Sequence, residues 1–304
     1  MSDDVTFDRD FESPAGTMVA VSPLVRRIVA PNPSPFTFTG TCTYVVGRGA
    51  VAVIDPGPAD AAHVQALLAG IAGETVEAIV VTHTHRDHSP GARLLQERTG
   101  APIVGCAPHR VARPLFAHEQ TRLDAGADAD HAPQRALADG ETLEGDGWTL
   151  TAVATPGHTA NHLAFALPQE RALFSGDHVM AWSTSIVAPP DGAMGDYMAS
   201  LARLADRDDA VLWPGHGGPV TQPPRFVRHL LTHRRQRETS IVERLRAGDG
   251  TIGAIVPRLY EGLNPALHGA AALSVLAHVE DLVQRGVLVS EDGEPSLARR
   301  YRVA

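Results

Sequence analysis

The segment that most restricts what this chain can fold into is THTHRDH at 82–88, which directly follows the apolar run VEAIVV. A short, continuous, β-branched run is typical of a buried strand, so these side chains enter a loop from a rigid support. Three imidazoles and one carboxylate so close together would be costly to desolvate without a partner. Neutral imidazoles and carboxylates are ligands that zinc prefers, and iron or manganese less selectively. The segment therefore predicts a metal-binding loop.

The spacing divides these donors between two ions. In an extended segment residues i and i+2 point the same way, so His83 and His85 can share one ion. Asp87 and His88 come after the chain turns, and they can face a second ion. Three later segments, TPGHT, FSGDH and WPGHG, place a ligand type after an apolar strand and beside glycine, which lets the backbone approach an ion. The further ligands expected there are His158, Asp177 and His216.

The charged residues narrow the range of possible functions. The formal net charge of -9 gives no general attraction for nucleic acid or anionic membranes. All 26 basic residues are arginine. Chemistry that needs lysine, such as a Schiff base, a lysine nucleophile or a phosphate-binding loop of the Walker type, is therefore excluded.

The N-terminal segment and the cysteines predict a location. The segment MSDDVTFDRDFESPAG is acidic and lacks an apolar core, so we expect no secretory signal, and no membrane-spanning segment is expected elsewhere. The two cysteines, Cys42 and Cys106, form no CxxC pair, which argues against a disulfide framework. A reduced, cytoplasmic setting fits best.

The pattern along the 304 residues predicts one large and one small domain. Strands alternate with helices in the first part and form meanders in the second, which favours mixed layers of the α+β class. After Gly218 come three helical patterns, then a strand, a polar turn and a strand, the order of a winged-helix unit. We place the domains at 1–221 and 222–304. The polar stretch 107–140 has weak periodicity and is interpreted as a flap beside a site.

The HxHxDH segment and its distal His, Asp and His resemble the metallo-β-lactamase superfamily over nearly the whole chain. The resemblance implies a four-layer αβ/βα sandwich with two zinc ions at one edge of its two sheets. Asp55, which follows a strand, matches the early Asp of that family and would orient the HxHxDH loop from behind the ligands. By the same resemblance Asp177 would bridge the ions. One ion would take His83, His85 and His158, and the other Asp87, His88 and His216.

Finer features resemble one branch, the β-lactamase-like protein 2 group. They are the segments PSPFTFTGTCTYVVG, GDYMASL, PGHG and HRRQRE. That group carries a winged-helix-like C-terminal domain, some members cleave single-stranded RNA, and the resemblance hints at a homodimer. It also implies that Tyr197 lies near the substrate, although a tyrosine that anchors a helix start is the alternative. His178 is either a proton donor or a residue behind the ligands.

The reaction class follows from the ligands. Two ions about 3.5 to 4 Å apart lower the pKa of a bridging water and supply hydroxide. Asp87 and Asp177 would fix the metal geometry and could accept the proton of the attacking water, with His178 as a candidate acid. This scheme serves esters, thioesters, lactams, lactones and phosphodiesters alike.

The substrate is left open between single-stranded RNA and a small acyl ester or thioester. The branch and the arginines of 223–248 favour RNA, whereas the acidic net charge opposes tight binding of nucleic acid. Glyoxalase II relatives, which are hydroxyacylglutathione thioesterases, share THxHxDH and TPGHT, but they use lysine to bind glutathione. A lactam ranks last because lactam-opening members are exported. A non-hydrolytic metal-binding, redox or regulatory module is the alternative of another class.

Overall fold

Two β-sheets face each other in the computed structural model, which describes residues 6–117, 119, 126–291 and 293–304. Part of the predicted flap, residues 118 and 120–125, therefore lies outside the described residues. The first sheet has the spatial order β1 (Val19–Ala20), β2 (Val25–Val29), β3 (Cys42–Arg48), β4 (Ala50–Ile54), β5 (Thr75–Val81), β6 (Ile103–Gly105) and β7 (Arg135–Ala136). The second has the order β12 (Val211–Pro214), β11 (Ala172–Gly176), β10 (Leu163–Leu167), β9 (Trp148–Ala154) and β8 (Thr142–Gly145).

Helices cover the outer face of each sheet and form a third unit at the C-terminal side. The elements are α1 (Ala61–Gly70), α2 (Gly91–Thr99), α3 (Met194–Ala205), α4 (Pro223–Arg246), α5 (Ile252–Leu259), α6 (His268–Gln284), β13 (Leu288–Ser290) and β14 (Tyr301–Val303). Helix α2 packs on α1 and on β5 and β6, whereas α3 packs on α4. The predicted α+β class and the layered αβ/βα arrangement are thus confirmed.

The position of β10 between two cores explains why its sequence is apolar throughout. Successive side chains of a strand point to opposite faces. Leu163, Phe165 and Leu167 lie in the core between the two sheets, whereas Ala164 and Ala166 lie in the core beneath α3 and α4. Because both faces are buried, the strand reads as a continuous apolar run.

Local interactions explain where α1 begins and where α2 ends. The side chain of Asp60 caps α1 by accepting hydrogen bonds from the backbone N–H groups of Ala62 and His63. Gly100 ends α2 in the left-handed region, with φ of 73°, where glycine has no steric penalty. Helix α1 connects β4 to β5, and α2 connects the loop after β5 to β6.

Helix α4 belongs to two cores. Phe226 and Leu230 in its first half pack in the core beneath α3, whereas Ile241 and Leu245 pack in a third core. That third core also contains side chains of α5, α6 and β13, and the order of three helices followed by a two-stranded wing is the predicted one. The boundary between 1–221 and 222–304 stays a prediction, because this helix joins both units.

One described segment, Pro265–Gln284, has the length of a membrane span and a mean hydropathy of 1.2. It contains α6, whose Val275, Val279 and Leu282 are buried in the C-terminal core. A core helix of a folded domain has this composition for packing reasons alone.

Candidate metal centre

Five of the predicted site residues follow the ends of strands in both sheets. Asp55 follows β4, His83 follows β5, His158 follows β9, and Asp177 and His216 follow β11 and β12. Strands β4 and β5 are parallel, as are β11 and β12, so their carboxyl ends lie at a common edge. The two sheets thereby bring residues distant in sequence to one place.

The first group of donors consists of His83, His85, His158 and Asp177, whose donor atoms all lie within 4.8 Å of one another. Nδ1 of His85 lies 3.1 Å from Nε2 of His83 and 3.0 Å from Nε2 of His158. Nε2 of His158 lies 3.7 Å from Oδ2 of Asp177. Three imidazoles and a carboxylate thus surround one point.

The second group consists of Asp87, His88 and His216. The two Nε2 atoms are 3.3 Å apart, and Oδ2 of Asp87 lies 3.4 Å from that of His88 and 3.2 Å from that of His216. Asp177 reaches this group as well, with Oδ1 3.4 Å from Nε2 of His88 and Oδ2 3.3 Å from Nε2 of His216. Its carboxylate therefore lies between the two groups.

Asp55 orients the HxHxDH loop from behind. Its Oδ2 lies 2.9 Å from Nδ1 of His88, and the carboxylate also accepts hydrogen bonds from the backbone N–H (2.8 Å) and the hydroxyl (2.7 Å) of Thr82. Because that hydroxyl donates to Asp55, it accepts from Nδ1 of His83 at 2.9 Å. Both imidazoles are left with the Nε2 lone pair pointing towards the other donors.

Backbone carbonyls orient two more imidazoles in the same sense. Nδ1 of His158 donates to the carbonyl oxygen of Ile186 at 2.6 Å, and Nδ1 of His216 donates to that of Gly40 at 3.2 Å. A carbonyl oxygen can only accept, so in the neutral form of each imidazole Nε2 presents its lone pair to the cluster. Lone pairs that face one another across about 3 Å repel unless a cation lies among them. The donor set therefore fits divalent metal ions.

The electrostatics of the cluster also favour a cation. Burial lowers the pKa of the His216 imidazole, but the carboxylates of Asp177 and Asp87 outweigh it and raise that pKa to about 9. Burial likewise opposes ionisation of Asp177, yet the imidazoles of His216 and His88 hold its pKa well below the ordinary value. Oδ1 of Asp177 is buried and has no hydrogen-bond partner among the described residues. A metal ion that displaces protons from these groups would satisfy all of them.

Glycines let the backbone pack directly against the cluster. A Cβ on Gly215 would lie 2.4 Å from Oδ1 of Asp177 and 2.6 Å from Cε1 of His88. Gly157 has a φ of 140°, and a Cβ there would lie 2.3 Å from Cα of Tyr197. Space thus requires glycine at both positions, and at Gly157 the backbone conformation requires it as well.

The donors open into a cavity of about 480 Å³, which we call the metal cavity. Its walls are largely apolar, and Ala270 and Leu273 come from α6 of the C-terminal unit. Gly126, from the described part of the predicted flap, also lines it. The remaining lining residues are Ser34, Phe36, Thr37, His85, Asp87, His158, Asp177, Met180, Ile186, Ala188 and His216.

His178 and Tyr197 do not line the metal cavity. Both side chains are fully buried, and the Tyr197 hydroxyl donates to the carbonyl oxygen of His178 at 3.0 Å. Burial first, and then the charges of His158 and Arg234, lower the pKa of the His178 imidazole to about 3. The two side chains therefore lie outside the cavity lining, with Tyr197 in the first turn of α3, and their roles stay predictions.

His162 is a supporting residue that sequence reasoning missed. It is buried, its Nδ1 lies 2.8 Å from the Thr155 hydroxyl, and its Nε2 accepts the backbone N–H of Asp177 at 3.2 Å. A histidine at the start of an apolar strand, four residues after His158, was the available signal. Its role becomes visible only when β10 and β11 pair.

A second missed set supports the metal loop through Thr84. The Thr84 hydroxyl lies 3.0 Å from Nδ1 of His109 and accepts a hydrogen bond from the Asn161 side chain at 3.0 Å. Nε2 of His109 lies 3.4 Å from the buried carboxylate of Asp191. These polar groups hold the metal loop at Thr84, which lies between the two metal-facing histidines His83 and His85.

Comparisons with known proteins agree with this site. Residues 36–216 match the family described as "Metallo-beta-lactamase superfamily", and residues 251–296 match "Beta-lactamase associated winged helix domain". A protein of Caenorhabditis elegans named beta-lactamase-like protein 2 homolog is 31% identical over 274 residues, covering 88% of this chain and 87% of that protein.

Two further relatives differ in what their names state. A protein of Paecilomyces divaricatus named as an atrochrysone carboxyl ACP thioesterase is 29% identical over 241 residues, covering 77% of this chain and 69% of its own length. The crystal structure of a metallo-beta-lactamase family protein from Thermus thermophilus superposes with a TM-score of 0.74 at 26% identity, covering 94% of this chain and all of that one (100%). By its ligand set, its fold and these matches, the chain belongs to the metallo-β-lactamase superfamily of hydrolases and carries the associated winged helix domain.

Proposed function

We propose that this chain is a dinuclear metal-dependent hydrolase of a small acyl ester or thioester. The observation that carries the proposal is the metal cavity, which five of the seven convergent donors line at one side and whose other walls are largely apolar. Zinc fits the imidazole-rich donors best, with iron or manganese as alternatives. A cavity of about 480 Å³ is of the size that holds a small ligand.

Each donor has a role in this proposal. Two bound divalent ions would polarise the substrate oxygen and make water nucleophilic near neutral pH. Asp177, between the two groups, would hold both ions together, and Asp87 would present Oδ2 to the cavity. These carboxylates would accept the proton of the attacking water. One ion would be held by His83, His85 and His158, and the other by Asp87, His88 and His216.

Asp55, His178 and Tyr197 act from outside the cavity in this proposal. Asp55 fixes the tautomer of His88 and the position of the metal loop. His178 and Tyr197 support the loop that carries Asp177, because their side chains are buried away from the cavity. Protonation of the leaving group is therefore assigned to solvent at the metal centre.

The cavity walls favour an acyl substrate over RNA. Among the described residues no arginine lines the metal cavity, whereas Phe36, Met180 and Leu273 offer apolar surface to an acyl group. Relatives whose names state that they are ACP thioesterases support the same class. A glyoxalase II-like thioesterase is included in this proposal as one choice of leaving group.

The arginines of α4 give little support to RNA binding. Arg228 donates to the carbonyl oxygen of Ala205 at 3.2 Å, and Arg237 donates to that of Leu259 at 2.8 Å and lies over the ring of Tyr260. Arg234 is buried. These three arginines join α4 to neighbouring elements or are buried, which gives them a structural role.

The proposal includes a cytoplasmic location for the protein. Cys42 and Cys106 are both buried free thiols, which fits a reduced cytoplasmic environment. A homodimer stays a prediction from the resemblance alone.

The test is a set of parallel assays on purified protein whose metal content has been measured. One arm offers S-lactoylglutathione and a simple aryl ester, and the other offers labelled single-stranded RNA. Metal-dependent turnover of an ester or thioester is the expected result, and an Asp87→Ala/His88→Ala variant should lose it. RNA cleavage lost in that variant, without acyl turnover, would replace the proposed substrate. A protein with two ions per chain that acts on none of these would contradict the hydrolase proposal.

A further inference from the structure

A second cavity, of about 670 Å³, lies beside the metal cavity. The two cavities share four lining residues, namely Phe36, Met180, Ile186 and Ala270. A substrate that occupies the metal cavity therefore has space to extend between the catalytic fold and the C-terminal unit. We call this second space the side cavity.

Arg234 of α4 lines the side cavity and is only 3% exposed. One guanidinium nitrogen donates to the carbonyl oxygen of Ser185, and Nε has no partner among the described residues. No carboxylate of the described residues lies within 4.0 Å of the guanidinium. A buried charge without a counter-ion is costly, so such a group usually has a ligand or a functional role.

The surroundings of Arg234 contain further basic groups. His233 and His278 lie close enough that the guanidinium charge, after burial, lowers the pKa of each imidazole. The ring of Tyr197, 5.1 Å from the guanidinium carbon, supplies a weak cation–π contact. Nothing among these groups neutralises the charge.

The other lining residues of the side cavity are suited to an anion. Ser183, Thr184 and Ser274 offer hydroxyl donors. Arg9 adds a second positive charge to the lining, and the one acidic lining residue among those described, Glu261, is exposed to solvent and forms no ion pair with Arg234. Guanidinium groups bind carboxylates and phosphates through paired hydrogen bonds.

We propose that the side cavity is an anion-binding subsite in which Arg234 pairs with a carboxylate or phosphate group of the substrate. The scissile acyl group then occupies the metal cavity, and the shared residues Phe36, Met180 and Ile186 contact the segment between the two groups. This inference rests on the proposed acyl hydrolase function. It adds the prediction that the natural substrate is charged at a distance from the bond that is cleaved.

Arg234 also has a structural contact that the experiment must separate from binding. It donates to the carbonyl oxygen of Ser185, and the next carbonyl oxygen, of Ile186, accepts the hydrogen bond of His158. Substitution of Arg234 can therefore shift a metal-facing imidazole and change the rate for every substrate. A ratio between two substrates, measured on one enzyme preparation, cancels that effect.

The test compares three thioesters on the metal-loaded full chain. Butyryl-N-acetylcysteamine is neutral, glutaryl-N-acetylcysteamine carries a carboxylate on the acyl group, and butyryl-phosphopantetheine carries a phosphate on the thiol. We expect kcat/KM for one of the charged thioesters to exceed that of the neutral one by about 10- to 100-fold, the range for hydrogen bonds to a charged group. Which of them gains identifies where the natural substrate carries its charge.

Substitutions on α4 assign the advantage to one side chain. Arg234→Met should reduce the ratio of charged to neutral kcat/KM to about 1, and Arg234→Lys should retain part of it, because the point charge is kept without the planar fork. Arg235→Met is the matched control, since Arg235 is exposed and does not line the side cavity. An equal ratio in wild type and Arg234→Met would overturn the subsite.

A binding measurement on the wild type keeps the inference testable if Arg234→Met does not fold. Glutarate and pentanoate each have one carboxylate for the metal centre, but only glutarate has a second one for Arg234. Calorimetry should show tighter binding of glutarate, by about tenfold or more. Equal affinities, together with no advantage for the phosphate-bearing thioester, would overturn the subsite. Turnover of the neutral thioester would still support the hydrolase function in that case.

Discussion

The carboxylate of Asp55 accepts the Nδ1 hydrogen of His88 at 2.9 Å, although 33 residues separate the two in sequence. The bond forms because β4 and β5 are parallel neighbours whose carboxyl ends lie side by side. It leaves Nε2 of His88 directed at Asp177 and His216. The position of the donors thus depends on residues that do not themselves face the cavity.

Asp55→Asn should weaken metal retention by about 10- to 100-fold, the range found when groups that orient metal ligands are changed. The amide has the same size, but it loses the charge that fixes the tautomer of His88. Competition with a chromophoric chelator measures the effect. Asp208→Asn is the control, because that side chain is 96% exposed. Equal retention in the two variants would contradict the role assigned to Asp55.

Gly215→Ala should reduce kcat/KM by about 100-fold, because displacement of reacting groups by about 1 Å has that effect. The new Cβ would lie 2.4 Å from Oδ1 of Asp177, so the carboxylate or the backbone must move. Metal content and kcat/KM are the measurements. In contrast, Gly253→Ala in α5 meets no atom within 4 Å, and it should leave activity unchanged and stabilise the helix by about 0.5 to 1 kcal/mol. Full activity in Gly215→Ala would show that the cluster is not packed as described.

Removal of metal should lower the melting temperature of the wild type. A ligand that binds only the folded state stabilises it by about 4 kcal/mol when its free concentration is a thousand times Kd. Thermal unfolding before and after chelation, and after addition of zinc, manganese or iron, measures this and ranks the metals. The Asp87→Ala/His88→Ala variant should show a much smaller change. The same change in wild type and variant would place the metal elsewhere.

Glu74→Gln should destabilise the protein by about 1 to 3 kcal/mol at pH 7, as expected for loss of hydrogen bonds to a charged group. Burial raises the pKa of Glu74, but hydrogen bonds from Arg26 and from the backbone N–H of Gly49 outweigh it and lower that pKa below its usual value. Since the folded-state pKa is below the unfolded one, this stabilisation is present above about pH 4.5 and is lost as the pH falls through the folded value.

Urea unfolding at pH 7, 5, 4 and 3 tests this pH dependence. The difference between wild type and Glu74→Gln should shrink as the pH falls through the lowered folded-state pKa of Glu74. A difference that stays constant with pH would mean that the effect of the substitution does not come from the carboxylate charge.

Elements with strong local signals could be predicted closely. The apolar run VEAIVV, which predicts a buried strand, is part of β5 (Thr75–Val81). Gly100 ends α2 in the left-handed region that favours glycine. In these places the chain's own capping groups and steric limits decide the conformation, so distant residues change little.

The roles of residues that depend on contacts with distant parts of the chain were not predictable from local sequence patterns. Tyr197 and His178 looked like site residues because of their neighbours in sequence, yet both are buried outside the metal cavity. In the sequence Arg234 is one of several arginines of 223–248, whereas the packing of α4 buries it beside the side cavity. The same packing brings Leu273 of α6 to the wall of the metal cavity.

The sequence by itself determined the donor chemistry, because three imidazoles and a carboxylate in HxHxDH require a partner wherever that loop lies. It also determined the alternation of strands and helices, which follows from local apolar patterns and turn residues. Only the tertiary structure decided which donors share a point, since that depends on how two sheets meet at one edge. It also decided that the cavities are walled by the C-terminal unit. The shape of the space beside the metal is set by packing between residues that are far apart in sequence, which no local pattern encodes.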